Sequence, residues 1–123
     1  MKRYVKFFIG VVILFSMISC KKDSSTTPTS TVVTKQKGAL LFWINDPLII
    51  PSCGGLTIKL SNGQQTNITG YYFVAPANCV NQFGGYFYLD EGTYTYQIIS
   101  SSCILPGGTA TVIGNTCNFA KVQ

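Results

Sequence analysis

The sequence predicts an all-β domain over residues 38–123, an antiparallel β-sandwich of about seven short strands. Two observations point there. Runs of aromatic and β-branched residues recur at short spacing and are separated by Gly, Asn, Asp and Pro. No stretch of this region repeats its apolar residues at helical spacing.

Residues 38–44 (GALLFWI) read as a first strand, buried on at least one side, with Leu40, Phe42 and Ile44 on one face. Asn45-Asp46-Pro47 turns the chain, and residues 48–51 form an apolar, Pro-bounded connection. Residues 56–60 alternate cleanly, with Leu56, Ile58 and Leu60 inward and Thr57 and Lys59 outward. Asn62-Gly63 signals a two-residue hairpin, because both residues tolerate positive φ. Residues 64–69 return as a polar edge strand, residues 71–74 continue it past Gly70, and residues 75–81 are loop.

Residues 84–99 (GGYFYLDEGTYTYQII) read as a central β-hairpin about Asp90-Glu91-Gly92. Leu89 and Tyr94 then face each other across a four-residue loop. Phe87, Leu89, Tyr94, Tyr96 and Ile98 share one face, and Tyr86, Tyr88, Thr95 and Gln97 the other. LPGG at 105–108 is a loop, 109–113 a strand, Gly114-Asn115 a turn and 117–122 the last strand.

Leu89-x-x-Gly92-x-Tyr94-x-Tyr96, preceded by an aromatic strand and by LTIKL, resembles the prealbumin-like, carboxypeptidase-regulatory type of Ig-like β-sandwich. Asp90 and Glu91 stand where that group usually carries prolines. The resemblance covers most of residues 38–122 and implies a non-catalytic module: a folding unit, an adhesive stalk or an envelope appendage.

The N-terminus reads as an export signal. Lys2, Arg3 and Lys6 form a basic region, and residues 7–18 are apolar apart from Gly10 and Ser16. A bilayer-spanning helix needs about 20 residues, so this run is too short to span. It ends in Met17-Ile18-Ser19-Cys20, which resembles the lipobox of bacterial lipoproteins, with Met17 in place of the usual Leu. That resemblance implies removal of residues 1–19 and lipidation of Cys20, two or more acyl chains being needed for stable anchoring. No Asp follows Cys20 directly, which resembles outer-membrane sorting and leaves the leaflet open. Residues 20–37 then form a lipidated tether, rich in Ser and Thr and too poor in large apolar residues to order itself.

The net charge of +5 belongs to the N-terminal segments. From Gly38 onward, two lysines (Lys59 and Lys121) face three acids (Asp46, Asp90 and Glu91), a net −1. The domain therefore lacks the electrostatic footprint of a nucleic-acid binder. The implied partners are a membrane, reached through the lipid, and a glycan or an envelope protein.

Four cysteines remain beside Cys20: Cys53, Cys79, Cys103 and Cys117. An even count in an exported domain of 86 residues reads as two disulfides. The central hairpin favours Cys79–Cys103 with Cys53–Cys117; the rival set is Cys53–Cys79 with Cys103–Cys117. A structural zinc lacks ligands, because there is no histidine and no C-x-x-C pair.

No catalytic residues and no cofactor are expected. Without histidine there is no Ser-His or Cys-His arrangement. Asp90 and Glu91 read as solvated turn residues, with a weak Ca²⁺ site joined by Asp46 as an alternative. Lys59, Asn118 and Glu91 nominally supply an isopeptide triad, but alternation leaves the Lys59 amine in solvent. Asn67-Ile68-Thr69 matches a eukaryotic glycosylation sequon, which the bacterial lipobox makes irrelevant. The functional lead is aromatic: Tyr86, Tyr88 and Tyr71 are the candidate ligand-binding residues, an outward row able to stack on sugar rings or accept a partner strand. The weighed alternative is ordinary cross-strand pairing on a solvated face.

Overall fold

A computed structural model describes residues 31–123. Seven strands are present: β1 (Lys37–Trp43), β2 (Leu56–Leu60), β3 (Gln65–Ile68), β4 (Gly85–Asp90), β5 (Gly92–Ile99), β6 (Gly108–Val112) and β7 (Cys117–Lys121). They form two sheets, β4-β1-β7 (sheet I) and β3-β2-β5-β6 (sheet II). All pairings are antiparallel except β1 with β7. The result is the expected all-β sandwich.

The strands close on a core that alternation supplies. Leu40 and Phe42 of β1, Leu56, Ile58 and Leu60 of β2, Phe87 and Leu89 of β4, and Val112 of β6 are all buried. Phe42 ties the sheets together. Its ring stands edge-on to Phe87 in its own sheet (5.9 Å) and to Tyr96 in the other (4.8 Å). Leu41 points to the opposite face of sheet I and is also fully buried, so β1 is covered on both sides.

The segment expected to be a hairpin is instead a corner between the sheets. β4 pairs with β1 in sheet I, and β5 pairs with β2 and β6 in sheet II. Only Glu91 separates the two strands. Gly92 takes φ +153°, a conformation that side chains disfavour, and the Tyr94 hydroxyl bridges the bend by donating to the Asp90 carbonyl (2.8 Å). A strand can change sheets through such a bend. Hairpin and corner put the same residues inward. Tyr94, Tyr96 and Ile98 therefore pack against the core as expected, although Leu89 and Tyr94 are not paired across a ladder.

The changed pairing also changes the disulfides. The bonds are Cys53–Cys103 and Cys79–Cys117, neither of the sets expected from the sequence. β2 lies antiparallel to β5 with Thr57 opposite Ile99. Continuing that register four residues outward brings Cys53 opposite Cys103. The hairpin that would have gathered Cys79 and Cys103 does not exist.

Three local readings are corrected. Residues 49–53 form a one-turn helix, α1 (Ile49–Cys53), closed by the Gly54 N–H on the Ile50 carbonyl. Five residues are too few to show a helical period. The β2–β3 turn has three residues rather than two. Gly63 donates to the Leu60 carbonyl and alone takes positive φ (+87°), while the Asn62 side chain accepts the Gln64 N–H (3.0 Å). Residues 71–74 do not extend β3; they open a long irregular loop.

Candidate functional site

Residues 69–84 (TGYYFVAPANCVNQFG) connect β3 to β4 without regular structure. Gly70, Pro76 and two asparagines interrupt any period, and four apolar residues run together at 71–74 with no polar alternation. The loop is pinched at its ends: the N–H groups of Thr69 and Gly70 both donate to the Phe83 carbonyl (2.8 and 3.1 Å). The Tyr72 N–H donates to the Ile44 carbonyl (2.8 Å), fixing the loop's start beside the C-terminal end of β1. Phe83 packs against Gly70, where a Cβ would come within 2.7 Å of the ring.

This folding-back creates a cleft of about 410 Å³ lined by Thr69, Gly70, Tyr71, Tyr72, Phe73, Val74 and Phe83. Tyr71 meets Phe73 edge to face at 4.9 Å, and Tyr72 meets Phe83 at 5.8 Å. The Tyr72 hydroxyl accepts from the Phe83 N–H and donates to the Val80 carbonyl, both at 3.4 Å. The Thr69 hydroxyl donates to the Phe83 carbonyl (3.5 Å). Phe73 is 83 % exposed and Val74 77 %. No charged residue occurs anywhere from position 60 to 89, so the lining presents rings and methyl groups without a formal charge.

The residues singled out from the sequence divide between two places. Tyr86 and Tyr88 stand on the outer face of sheet I, Tyr86 half-buried and Tyr88 58 % exposed. Register sets Tyr86 beside Leu41, and Leu41 beside Phe119 of β7. The Lys37 amine lies 5.9 Å from the Tyr88 ring centre and 3.3 Å from the Asp90 carboxylate. At the far corner of this face, Lys121 lies over Trp43 (5.6 Å). Tyr71 does not join them. It packs against the core and pairs with Phe73 in the cleft.

Phe73 and Val74 were missed by sequence reasoning because 71–74 looked like strand, and Phe83 because it stood alone in a polar stretch before Gly84. The available signal was the punctuation on either side of 71–74, since Gly70 and Pro76 bound this run and interrupt a strand.

The weaker alternatives are not assembled. Asp46 follows the C-terminal end of β1, whereas Asp90 pairs with Lys37 at its N-terminal end. The acids proposed for a Ca²⁺ site are thus separated by the length of a strand, about 20 Å. Lys59 is exposed on sheet II, while Asn118 lies on sheet I with its amide donating to the Ala39 and Ile113 carbonyls (3.0 and 3.3 Å). Among the described residues, no group of three His, Cys, Asp or Glu could hold a metal ion. Nor is any helix among them long and apolar enough to cross a membrane. The expected signal segment, Cys20 and most of the tether lie outside the described residues.

Comparison of the chain with protein-family models, curated proteins and solved structures finds no match. The functional reading rests on the geometry of the cleft and of the adjoining sheet face.

Proposed function

We propose that the chain is a non-enzymatic, lipid-anchored cell-envelope protein whose sandwich displays a binding surface, with the 69–84 cleft as its recognition element. One observation carries this reading: an uncharged cleft walled by four aromatic rings and left open to solvent. Ligand sites are commonly concave, aromatic and sparsely polar. Exposed apolar patches mark interaction surfaces. The cleft's only protic side chains are hydroxyls, and two of them, on Thr69 and Tyr72, are already engaged with loop carbonyls. This supports binding over catalysis. The position of the cleft supports display, since it sits by Ile44 at the end of β1 opposite the one where residues 31–36 lead in.

The ring-lined groove also favours a second reading, a carbohydrate-binding accessory lipoprotein of a surface uptake system. Aromatic rings stack on sugar faces, but sugar recognition also needs hydrogen-bonding groups around the platform. Here the Tyr71 hydroxyl, which makes no hydrogen bond among the described residues, is the lining side-chain group left for that task.

Titration of the purified full chain with uncharged N-phenyl-1-naphthylamine and, separately, with neutral oligosaccharides tests both readings. Saturable naphthylamine binding that sugars do not displace is expected. Displacement by an oligosaccharide moves the assignment to the second reading. Saturation by neither ligand overturns the cleft as a binding site. The anchor has its own test: Cys20→Ser should abolish acyl-chain labelling and release the protein into the soluble fraction, and a labelled or membrane-bound variant contradicts lipidation.

A further inference from the structure

We infer that Cys79–Cys117 is a redox-sensitive clamp on the 69–84 cleft. A dithiol of the exported compartment opens this bond while Cys53–Cys103 stays closed, freeing the loop and dissolving the cleft on an intact sandwich. The proposal concerns regulation of the cleft and rests on the cleft being the recognition element.

The two disulfides differ in how much of their surroundings would hold without them. Cys53 is 3 % exposed and belongs to the core, and Cys103, partly exposed like Cys79 and Cys117, packs against it. Hydrogen bonds hold both positions without the covalent bond. The Ser101 and Ser102 N–H groups donate to the Cys53 carbonyl (3.1 and 3.2 Å). Ser100 Oγ donates to the Cys103 carbonyl and accepts its N–H (2.6 and 3.0 Å). A reductant reaches the Cys53 sulfur only after the β2–β5 end of the core has opened.

Cys79 and Cys117 are half-exposed and lie outside the core cluster. Cys117 is fixed by β7, which is paired along β1. Cys79 has no comparable support. Among the described residues, backbone groups from 73 to 82 hydrogen-bond only within the loop: Gln82 N–H to the Val80 carbonyl, Val80 N–H to the Asn78 side chain, and the Val80 carbonyl to Tyr72. Apart from a long contact of Cys79 Sγ with the Asn118 carbonyl (3.9 Å), the disulfide alone ties this stretch to sheet I. The far side of the cleft is therefore fastened by one accessible bond.

The exchange is balanced within the pair of reactants. One thiolate of the dithiol attacks Cys79 Sγ, forming a mixed disulfide and expelling the Cys117 thiolate. The second thiol then displaces Cys79 and closes the reductant into its own disulfide. Two electrons and two protons pass from the dithiol to Cys79 and Cys117. The released loop keeps its pinch at Thr69, Gly70 and Phe83 but loses the fixed path from Phe73 to Gln82, and with it the position of the Val80 carbonyl that orients the Tyr72 ring.

Pulsed alkylation with iodoacetamide during dithiothreitol reduction of the full chain, followed by peptide mass spectrometry, tests the selectivity. Cys79 and Cys117 should be alkylated about tenfold faster or more than Cys53 and Cys103, because Cys53 lies in the core and its bond is backed by hydrogen bonds that hold both ends together. Amide exchange at 73–82 should accelerate in the same interval while β2 and β5 stay protected. The double substitution Cys79→Ser with Cys117→Ser should reproduce that exchange pattern under oxidising conditions. Equal alkylation rates at all four cysteines, earlier opening of Cys53–Cys103, or unchanged exchange at 73–82 would each overturn the clamp. Naphthylamine affinity should fall in step with Cys79 alkylation, and affinity unchanged after complete alkylation of Cys79 overturns the gating. These thiol and exchange readouts use no ligand, so a failure of the oxidised protein to bind naphthylamine strikes the cleft reading alone.

Discussion

Two aromatic segments of this domain use the same residue types to opposite ends. Around the β4–β5 corner, extended strands sort the rings by face: of the consecutive Tyr86, Phe87 and Tyr88, Phe87 is buried and Tyr88 is left in solvent, and Tyr94 and Tyr96 pack inward. In the 69–84 loop, Tyr71, Tyr72 and Phe73 are consecutive, and no regular backbone can bury all three. They pair with one another and with Phe83, leaving a wall of exposed ring surface. The period of the backbone decides the use of a ring. On a strand, with its period of two, alternate rings reach the core even within an unbroken aromatic run, and in an irregular loop such a run is available to a ligand.

Substitutions can break this contrast, beginning where the effect is largest. Phe42 is fully buried and holds rings of both sheets. Phe42→Ala should cost about 3–5 kcal/mol, a large part of the 5–15 kcal/mol typical of a domain. The denaturant midpoint should collapse, or the chain should fail to fold. A midpoint near wild type would mean that the two sheets do not meet at this ring. Tyr94→Phe keeps the ring and removes only the hydroxyl that spans the corner to the Asp90 carbonyl. A loss of about 1 kcal/mol is expected from equilibrium denaturation, and no loss would show that the corner is set by Gly92 without help from Tyr94.

How far these effects were legible in the sequence follows from the same period rule. Alternation identified the inward residues of β1, β2, β4 and β5, and that assignment held because it depends only on each strand's own pattern. Alternation does not say which strand lies alongside. Leu89-Asp90-Glu91-Gly92-Thr93-Tyr94 satisfies a hairpin and a sheet-changing corner equally, with Phe87 and Tyr96 inward in both. The pairing of β2 with β5 was therefore invisible, and so was the Cys53–Cys103 bond that continues its register. Tyr88 was placed correctly on an outer face, but Tyr71 was misassigned with it, because reading 71–74 as strand imposed an alternation that those residues do not have.

Tyr88 tests the outer face of sheet I at smaller amplitude. Its ring is more than half exposed and touches the Lys37 amine. Tyr88→Ala should change stability by about 0.5 kcal/mol or less, as for surface positions in general. A loss as large as that of Phe42→Ala would mean that β4 is one residue out of register, which would exchange its faces.

The central claim is that the loop rings serve binding and contribute little to the fold, and Phe73 separates the two roles most sharply. It is 83 % exposed, lines the cleft and pairs its ring with Tyr71. The decisive measurement is the full-length Phe73→Ala variant, compared with wild type for its denaturation midpoint and its affinity for N-phenyl-1-naphthylamine. Stability should stay within about 0.5 kcal/mol of wild type. Affinity should fall about tenfold, as expected when a central aromatic contact is removed. Unchanged affinity, or a stability loss rivalling that of Phe42→Ala, would contradict the account.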